Sequence, residues 1–113
     1  MESMIKDLSL APLGHQRIQW AKEYMPLVNE LRKKYEADQP FKGVNMITSI
    51  HLEAKTAYLC KVLAAGGADM YITGSNPLST QDDVAAALVH DGLEVHAWYD
   101  CTPEEYDRHI KAV

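Results

Sequence analysis

What this sequence lacks removes several classes of protein. It contains no run of 18 apolar residues, so nothing in it reads as a membrane-spanning helix. The N-terminus has no basic segment leading into an apolar one, so no signal peptide is expected and a cytoplasmic setting follows. Only two cysteines occur, Cys60 and Cys101, with neither metal-ligand spacing nor a C-x-x-C arrangement, which predicts free thiols in a reducing compartment and no catalytic thiol. Eleven Lys and Arg stand against 16 Asp and Glu, a formal net charge of −5, so the basic stripe that a nucleic-acid surface requires is missing. No Gly-x-Gly-x-x-Gly follows an expected strand, so nothing supports a dinucleotide pocket within these residues. The five histidines, at positions 15, 51, 90, 96 and 109, share no helical face or carboxylate pair along the chain, and no metal centre is expected from their spacing. Internal repeats, low-complexity tracts and linkers are absent too.

What is present fits one small α/β domain. The 113 residues are 47% hydrophobic and 24% charged, enough to build a core. Apolar residues at Leu10, Leu13, Ile18, Ala21 and Met25 predict a first helix, with Pro12 in its first turn and Trp20 beside the stripe. Pro26 restarts the chain as a second helix carrying Leu27, Val28, Leu31 and Tyr35, which ends before Gln39-Pro40. Both are expected to cover one face of a sheet. Val44 to Ile50 predicts a parallel strand covered on both faces. A helix with Ala57, Leu59, Val62 and Leu63 follows and stops at Gly66-Gly67. Asp69 to Thr73 predicts the second strand and Leu93 to Tyr99 the third. Thr102-Pro103-Glu104-Glu105 then reads as an N-cap, a first-turn proline and a Glu at the third position, opening a last helix through Tyr106, His109 and Ile110. The order is α-α-β-α-β-α-β-α. Right-handed crossovers make the three strands parallel, with an expected order 2-1-3 in which the carboxyl ends of strands 1 and 2 are neighbours.

The stretch Ser75-Asn76-Pro77-Leu78-Ser79-Thr80-Gln81-Asp82-Asp83 lies between the second strand and an alanine-rich helix, where an open α/β sheet binds its ligands. Ser79 and Thr80 can cap that helix, with Asp82 and Asp83 in its first turn where the macrodipole favours carboxylates. His51 falls at the carboxyl end of the first strand, and an imidazole there suits proton chemistry. His51 to Thr56 should therefore face Ser75 to Asp83. A Ser-His-Asp set can be written from Ser75 or Ser79, His51 and Asp82, but no nucleophile elbow accompanies it.

Ile5-Lys6-Asp7-Leu8-Ser9-Leu10-Ala11, Met25-Pro26, His51-Leu52-Glu53-Ala54-Lys55-Thr56-Ala57, the block from Ser75 to Leu88 and Glu104-Glu105-Tyr106 together resemble the S-adenosylhomocysteine hydrolase family. The resemblance runs along essentially all 113 residues. It implies the amino-terminal part of a Rossmann-like, three-layer, nucleoside-binding substrate domain, incomplete relative to the family. The rest of that domain, with catalytic Asp, Glu, Lys and Cys positions, and the NAD domain with its glycine-rich loop are not in this chain. NAD is thus implied for the family with no site here, a nucleosyl-homocysteine is the implied substrate, and a homo-oligomer the implied assembly. Carried over by position, His51 matches a catalytic His near the reacting part of the substrate. Thr56 matches a substrate-site Thr. Gln81 matches a Gln at the entrance and monovalent-cation region, with Ser79 and Thr80 in the same loop.

One departure carries chemistry. Many members read His-x-Thr-x-Glu-Thr, where Thr and Glu hold adenine; here those positions are Glu53 and Lys55. His51-Leu52-Glu53-Ala54-Lys55-Thr56 resembles instead a subgroup from archaea and some thermophilic or anaerobic bacteria. Adenine presents an amino donor at position 6 and an acceptor at position 1, whereas hypoxanthine presents a carbonyl at 6 and an N–H at 1. A Lys donor and a Glu acceptor complement hypoxanthine. S-inosylhomocysteine is therefore an expected substrate; the alternative is a surface Glu53 and Lys55 pair, with adenine held by other groups. Two functions stay open: the opening portion of a nucleosyl-homocysteine hydrolase, inactive by itself, or a stand-alone nucleoside-binding or regulatory module.

Overall fold

The structure, a computed structural model, describes residues 3–113. Asp7 accepts the Ser9 N–H and caps a short 3-10 turn, Leu8–Leu10, which runs into α1 (Ala11–Glu23). Helix α2 (Pro26–Asp38) starts on its proline and ends at Gln39 in the left-handed conformation, whose side-chain amide donates to the Ala65 carbonyl at 2.6 Å. Strand β1 (Asn45–Ile50), helix α3 (Ala54–Ala65), strand β2 (Asp69–Gly74), a 3-10 turn Pro77–Ser79 and helix α4 (Asp82–His90) follow. Strand β3 (Glu94–His96) and helix α5 (Pro103–Ala112) complete the order expected from the sequence. Thr102 and Glu105 form the reciprocal capping box at the start of α5.

All three strands are parallel, but their order is β1-β2-β3, not 2-1-3. The reason lies in the helices. Crossovers of one hand that step in one direction put their helices on one face of the sheet, and α3 and α4 are indeed neighbours with α1 laid across both. A 2-1-3 order would split them between the two faces.

Helices α1 and α2 also differ from expectation. Their main contacts are with α3 and α4, so they form an outer helical layer and do not cover the sheet directly. Helix α4 is consequently enclosed, with every residue from Asp83 to Leu88 buried. Its Ala85, Ala86 and Ala87 keep it thin enough to fit between α1 and the strands. Gly14 completes that fit, because a Cβ there would lie 1.8 Å from the Asp83 carbonyl oxygen. The buried face of α1 is therefore Ala11, Gly14, Ile18 and Ala21, while Leu13 and Trp20 are exposed.

Strand β1 alternates exposed and half-buried residues, so the two-faced burial expected of it is not found. Met46, Thr48 and Ile50 turn inward; Asn45, Ile47 and Ser49 remain open, and Ile47 is 60% exposed. Strand β3 is shorter than predicted because the chain turns away after His96, reaching a positive φ at Asp100 while the Tyr99 N–H bonds Asp82 Oδ1 at 2.8 Å. Beyond β3, Met4 pairs with His96 in parallel, its N–H donating to the Val95 carbonyl at 2.9 Å. Nothing in the sequence pattern signalled that edge.

Leu52, Tyr58, Val62, Ile72, Val84, Leu88 and Val95 form the centre of the core. Each fully buried aliphatic side chain of this size contributes about 1.5–3 kcal/mol. The Tyr58 hydroxyl donates to Asn29 Oδ1, and Asn29 Nδ2 donates to the Lys22 carbonyl at 2.9 Å, so one satisfied polar chain ties α3 to α2 and α1. Beside β3, His109 is buried with its ring 4.2 Å from that of Trp98. Burial, then the neighbouring His96, holds the His109 pKa below its ordinary 6.5. Cys60, packed in the core, has its thiol pushed up to about 11 by burial.

Two outcomes follow. Gly14→Ala gains about 1 kcal/mol of helix propensity but meets backbone, and overpacking of this kind costs about 1–3 kcal/mol or more. Urea denaturation should show net destabilisation; a neutral or stabilising result contradicts the close approach. His109 binds a proton less readily folded than unfolded, so its stability contribution is whole above about pH 6.5 and is lost as pH falls from there through the lower folded value. His109→Gln should flatten the slope of unfolding free energy against pH between about 5 and 7, and an unchanged slope contradicts a neutral buried ring.

Candidate functional site

Equal-length pairing of β1 with β2 brings the two following loops side by side. The Ser75 N–H donates to the Ile50 carbonyl at 2.8 Å and the Gln81 N–H to the Leu52 carbonyl at 2.9 Å. Between these ties His51 Nδ1 lies 2.7 Å from Ser79 Oγ. The Ser79 hydroxyl donates to the Asn76 carbonyl at 3.0 Å, so its lone pair takes the His51 Nδ1–H. On this proton assignment the His51 ring is the Nδ1–H tautomer, and Nε2 keeps its lone pair on an exposed ring.

The residues after His51 are braced from within. Glu53 is the N-cap of α3: its Oε1 accepts the Thr56 N–H at 3.1 Å, and Thr56 Oγ1 accepts the Glu53 N–H at 3.2 Å. The Thr56 hydroxyl donates to the His51 carbonyl. Thr56 thus spends its hydroxyl on holding the backbone that carries His51, while Glu53 keeps its second carboxylate oxygen available. Lys55 is exposed and makes no hydrogen bond or ion pair among the described residues.

The 3-10 turn is capped by Asn76, whose Oδ1 accepts the Leu78 N–H at 3.0 Å. Ser79 and Thr80 do not cap α4, contrary to the sequence reading. Both hydroxyls donate to the Asn76 carbonyl, Thr80 at 3.3 Å, because the turn folds back before the helix begins. The N-cap position of α4 falls to Gln81, which makes no side-chain capping bond. Asp82 and Asp83 do lie in its first turn. The Ser-His-Asp set is not assembled either: His51 and Ser79 meet, but Asp82 is engaged with the Tyr99 N–H and the Ser79 proton points to Asn76.

A groove of about 360 Å³ runs between α1 and these loops, lined by Leu13, Gln16, Arg17, Trp20, Glu53, Ala54 and Gln81. A second, of about 570 Å³, opens over Leu78 to Asp83 and is walled by Leu10, Leu13 and Tyr99. Gln81 borders both, and its Oε1 is buried without a hydrogen-bond partner. An orphaned buried acceptor costs about 1–3 kcal/mol, so its natural complement is a ligand donor or a cation. Arg17 lies between the grooves, its Nε 2.5 Å from Asp83 Oδ2 in an ion pair out of hydrogen-bond alignment.

The structure therefore bonds His51 to Ser79, places Glu53 and Gln81 along one groove, turns the Thr56 and Thr80 hydroxyls to bracing, and leaves Lys55 in solvent. Leu13, Arg17 and Trp20 were not read as site residues. The mid-helix glycine at 14 was the available signal, since it marks the face that turns toward α4 and so the face that does not.

A family model, S-adenosyl-L-homocysteine hydrolase, matches residues 2–113. The chain is 50% identical to an S-inosyl-L-homocysteine hydrolase of Methanococcus maripaludis over 98% of its own length and 27% of the relative's. It is 49% identical to a protein of the same name from Methanopyrus kandleri, over 99% of this chain and 26% of that one. It is 48% identical to an adenosylhomocysteinase of Saccharolobus solfataricus, over 100% of this chain and 27% of that one. The chain spans about a quarter of the length of these curated relatives. With the family match running through both loops of the groove and both braces of His51, this chain belongs to the S-adenosyl-L-homocysteine hydrolase family.

Proposed function

We propose that these residues form the nucleoside-facing part of a nucleosyl-homocysteine hydrolase, which cleaves S-adenosyl- or S-inosyl-homocysteine into a nucleoside and homocysteine. The observation that carries this reading is the 2.7 Å contact between His51 and Ser79, which joins the two loops at the sheet's carboxyl edge and leaves His51 Nε2 as an acceptor for a substrate hydroxyl. Gln81 Oε1 supplies a second acceptor at the groove. Leu13 and Trp20 offer an apolar wall against which a base can lie.

NAD belongs to the activity proposed for the whole protein, and the residues present do not fit it. Among the described residues no strand ends in a glycine-rich turn, and Gly66-Gly67 stands ahead of β2, at the opposite end of the sheet. The open side of β1, with Asn45, Ile47 and Ser49, is proposed as the surface against which further parts of such an enzyme pack, within one chain or in a homo-oligomer. Among the described residues no helix is long and apolar enough to cross a membrane, and a cytoplasmic setting is proposed.

Within this reading, Glu53 and Lys55 favour hypoxanthine over adenine. Glu53 lines the groove with one carboxylate oxygen uncommitted, suited to the ring N–H; Lys55, one helical position beyond Ala54 and unpaired, suits the 6-oxygen. Relatives bearing either enzyme name match at similar identity, so overall identity does not decide the base.

A titration of the isotope-labelled chain with inosine and, separately, adenosine should give the larger shifts with inosine at His51, Lys55 and Gln81. Lys55→Met should weaken inosine by about 1–3 kcal/mol, on the order of 10- to 100-fold, with little change for adenosine. Larger shifts with adenosine contradict the base assignment. No response at His51 or Gln81 to either nucleoside contradicts the nucleoside site itself.

A further inference from the structure

The fold brings His15 to His90, which lies 75 positions further along the chain, and to the adjacent Asp91. His15, on α1 next to Gly14, meets His90 and Asp91 at the carboxyl end of α4. His15 Nε2 lies 3.1 Å from His90 Nδ1, with the rings edge to face at 5.1 Å between centroids. Asp91 Oδ1 is 3.8 Å from His90 Nδ1, and Asp91 Oδ2 is 3.8 Å from His15 Nδ1. Lys61 Nζ pairs with the same Oδ2 at 2.9 Å. One ligand atom from each of His15, His90 and Asp91 lies within 4.8 Å of the other two.

We propose that His15, His90 and Asp91 form a binding site for a divalent transition-metal ion that clamps α1 to α4. This inference is independent of the nucleoside site. Zinc binds imidazole nitrogen at about 2.0–2.1 Å, so two nitrogens of one tetrahedral site sit about 3.3 Å apart, close to the observed spacing. Without an ion only one ring can donate to the other, whereas an ion uses both lone pairs. Two imidazoles and one carboxylate favour Zn2+, Ni2+ or Cu2+ over Mg2+ and Ca2+. The negative end of the α4 dipole adds to the attraction for a cation. His90 and Asp91 are exposed and His15 half-buried, so an ion can enter and keep water in its remaining position. The ligands are carried on rigid supports: Gly14 seats α1 on the backbone of α4, and the Asp91 N–H donates to the Ala87 carbonyl at 3.1 Å. Lys61 is the opposing element, a cation that competes for Asp91.

The test is calorimetric titration and thermal unfolding of the 113-residue chain with Zn2+, with Mg2+ as the control. One Zn2+ per chain should bind and raise Tm by mass action, and Mg2+ should not. His15→Gln and His90→Gln, both surface changes whose folding circular dichroism verifies, should each weaken Zn2+ by at least about tenfold, since even outer contacts of a metal site are worth on the order of 10- to 100-fold. Lys61→Met should tighten it. Nitrogen NMR of the imidazoles should show His15 ligating through Nε2 with Nδ1 protonated, and His90 the reverse. Absent Zn2+ binding, or binding unaltered in both glutamine variants, overturns the proposal.

Discussion

Six residues of β1 run level with six of β2, from Asn45 beside Asp69 to Ile50 beside Gly74, and the candidate site exists because both strands end together. His51 and Ser75 leave the sheet at the same height, so short backbone bonds from Ser75 to Ile50 and from Gln81 to Leu52 can lock the loops. Gly74 allows the return of the second loop, since a Cβ there would come within 2.8 Å of Thr80 Oγ1. A shift of one residue in this register would turn every side chain of β1 over and separate His51 from Ser79.

Behind the sheet, small residues decide the thickness of the layers. The alanines of α4 and Gly14 of α1 let the two helices approach so closely that a Cβ at Gly14 would lie 1.8 Å from the Asp83 carbonyl oxygen. This close approach has two consequences at opposite ends of α4. At its start it brings Arg17 to Asp83 and forms a wall of the groove that Glu53 and Gln81 line. At its end it delivers His15 to His90 and Asp91.

Element order was legible in the sequence because prolines, paired glycines and caps punctuate it: Pro26, Gly66-Gly67 and Thr102-Pro103-Glu104-Glu105 each mark a boundary that the structure keeps. Strand order was not, because local sequence does not state on which side of β1 the next strand will lie; packing of α1 across α3 and α4 does. Apolar periodicity put Leu13 in the core, whereas the steric demand at Gly14 rotates it to the groove. The pairing of the two loops was legible from strand polarity, and His51 with it. The bracing roles of Thr56 and Thr80 were not, since a hydroxyl's partner depends on turn geometry that residue type alone leaves open.

At the site the chemistry reduces to where one proton resides. Ser79 gives its hydroxyl proton to the Asn76 carbonyl and accepts the His51 Nδ1–H, so the chain prepares His51 Nε2 as an acceptor before any ligand arrives. Long-range nitrogen–proton NMR of the His51 ring at a pH where it is neutral measures this directly. The Nδ1–H tautomer should dominate, and Ser79→Ala should shift the ring toward Nε2–H. A neutral ring already in the Nε2–H form, unchanged by Ser79→Ala, would contradict the account.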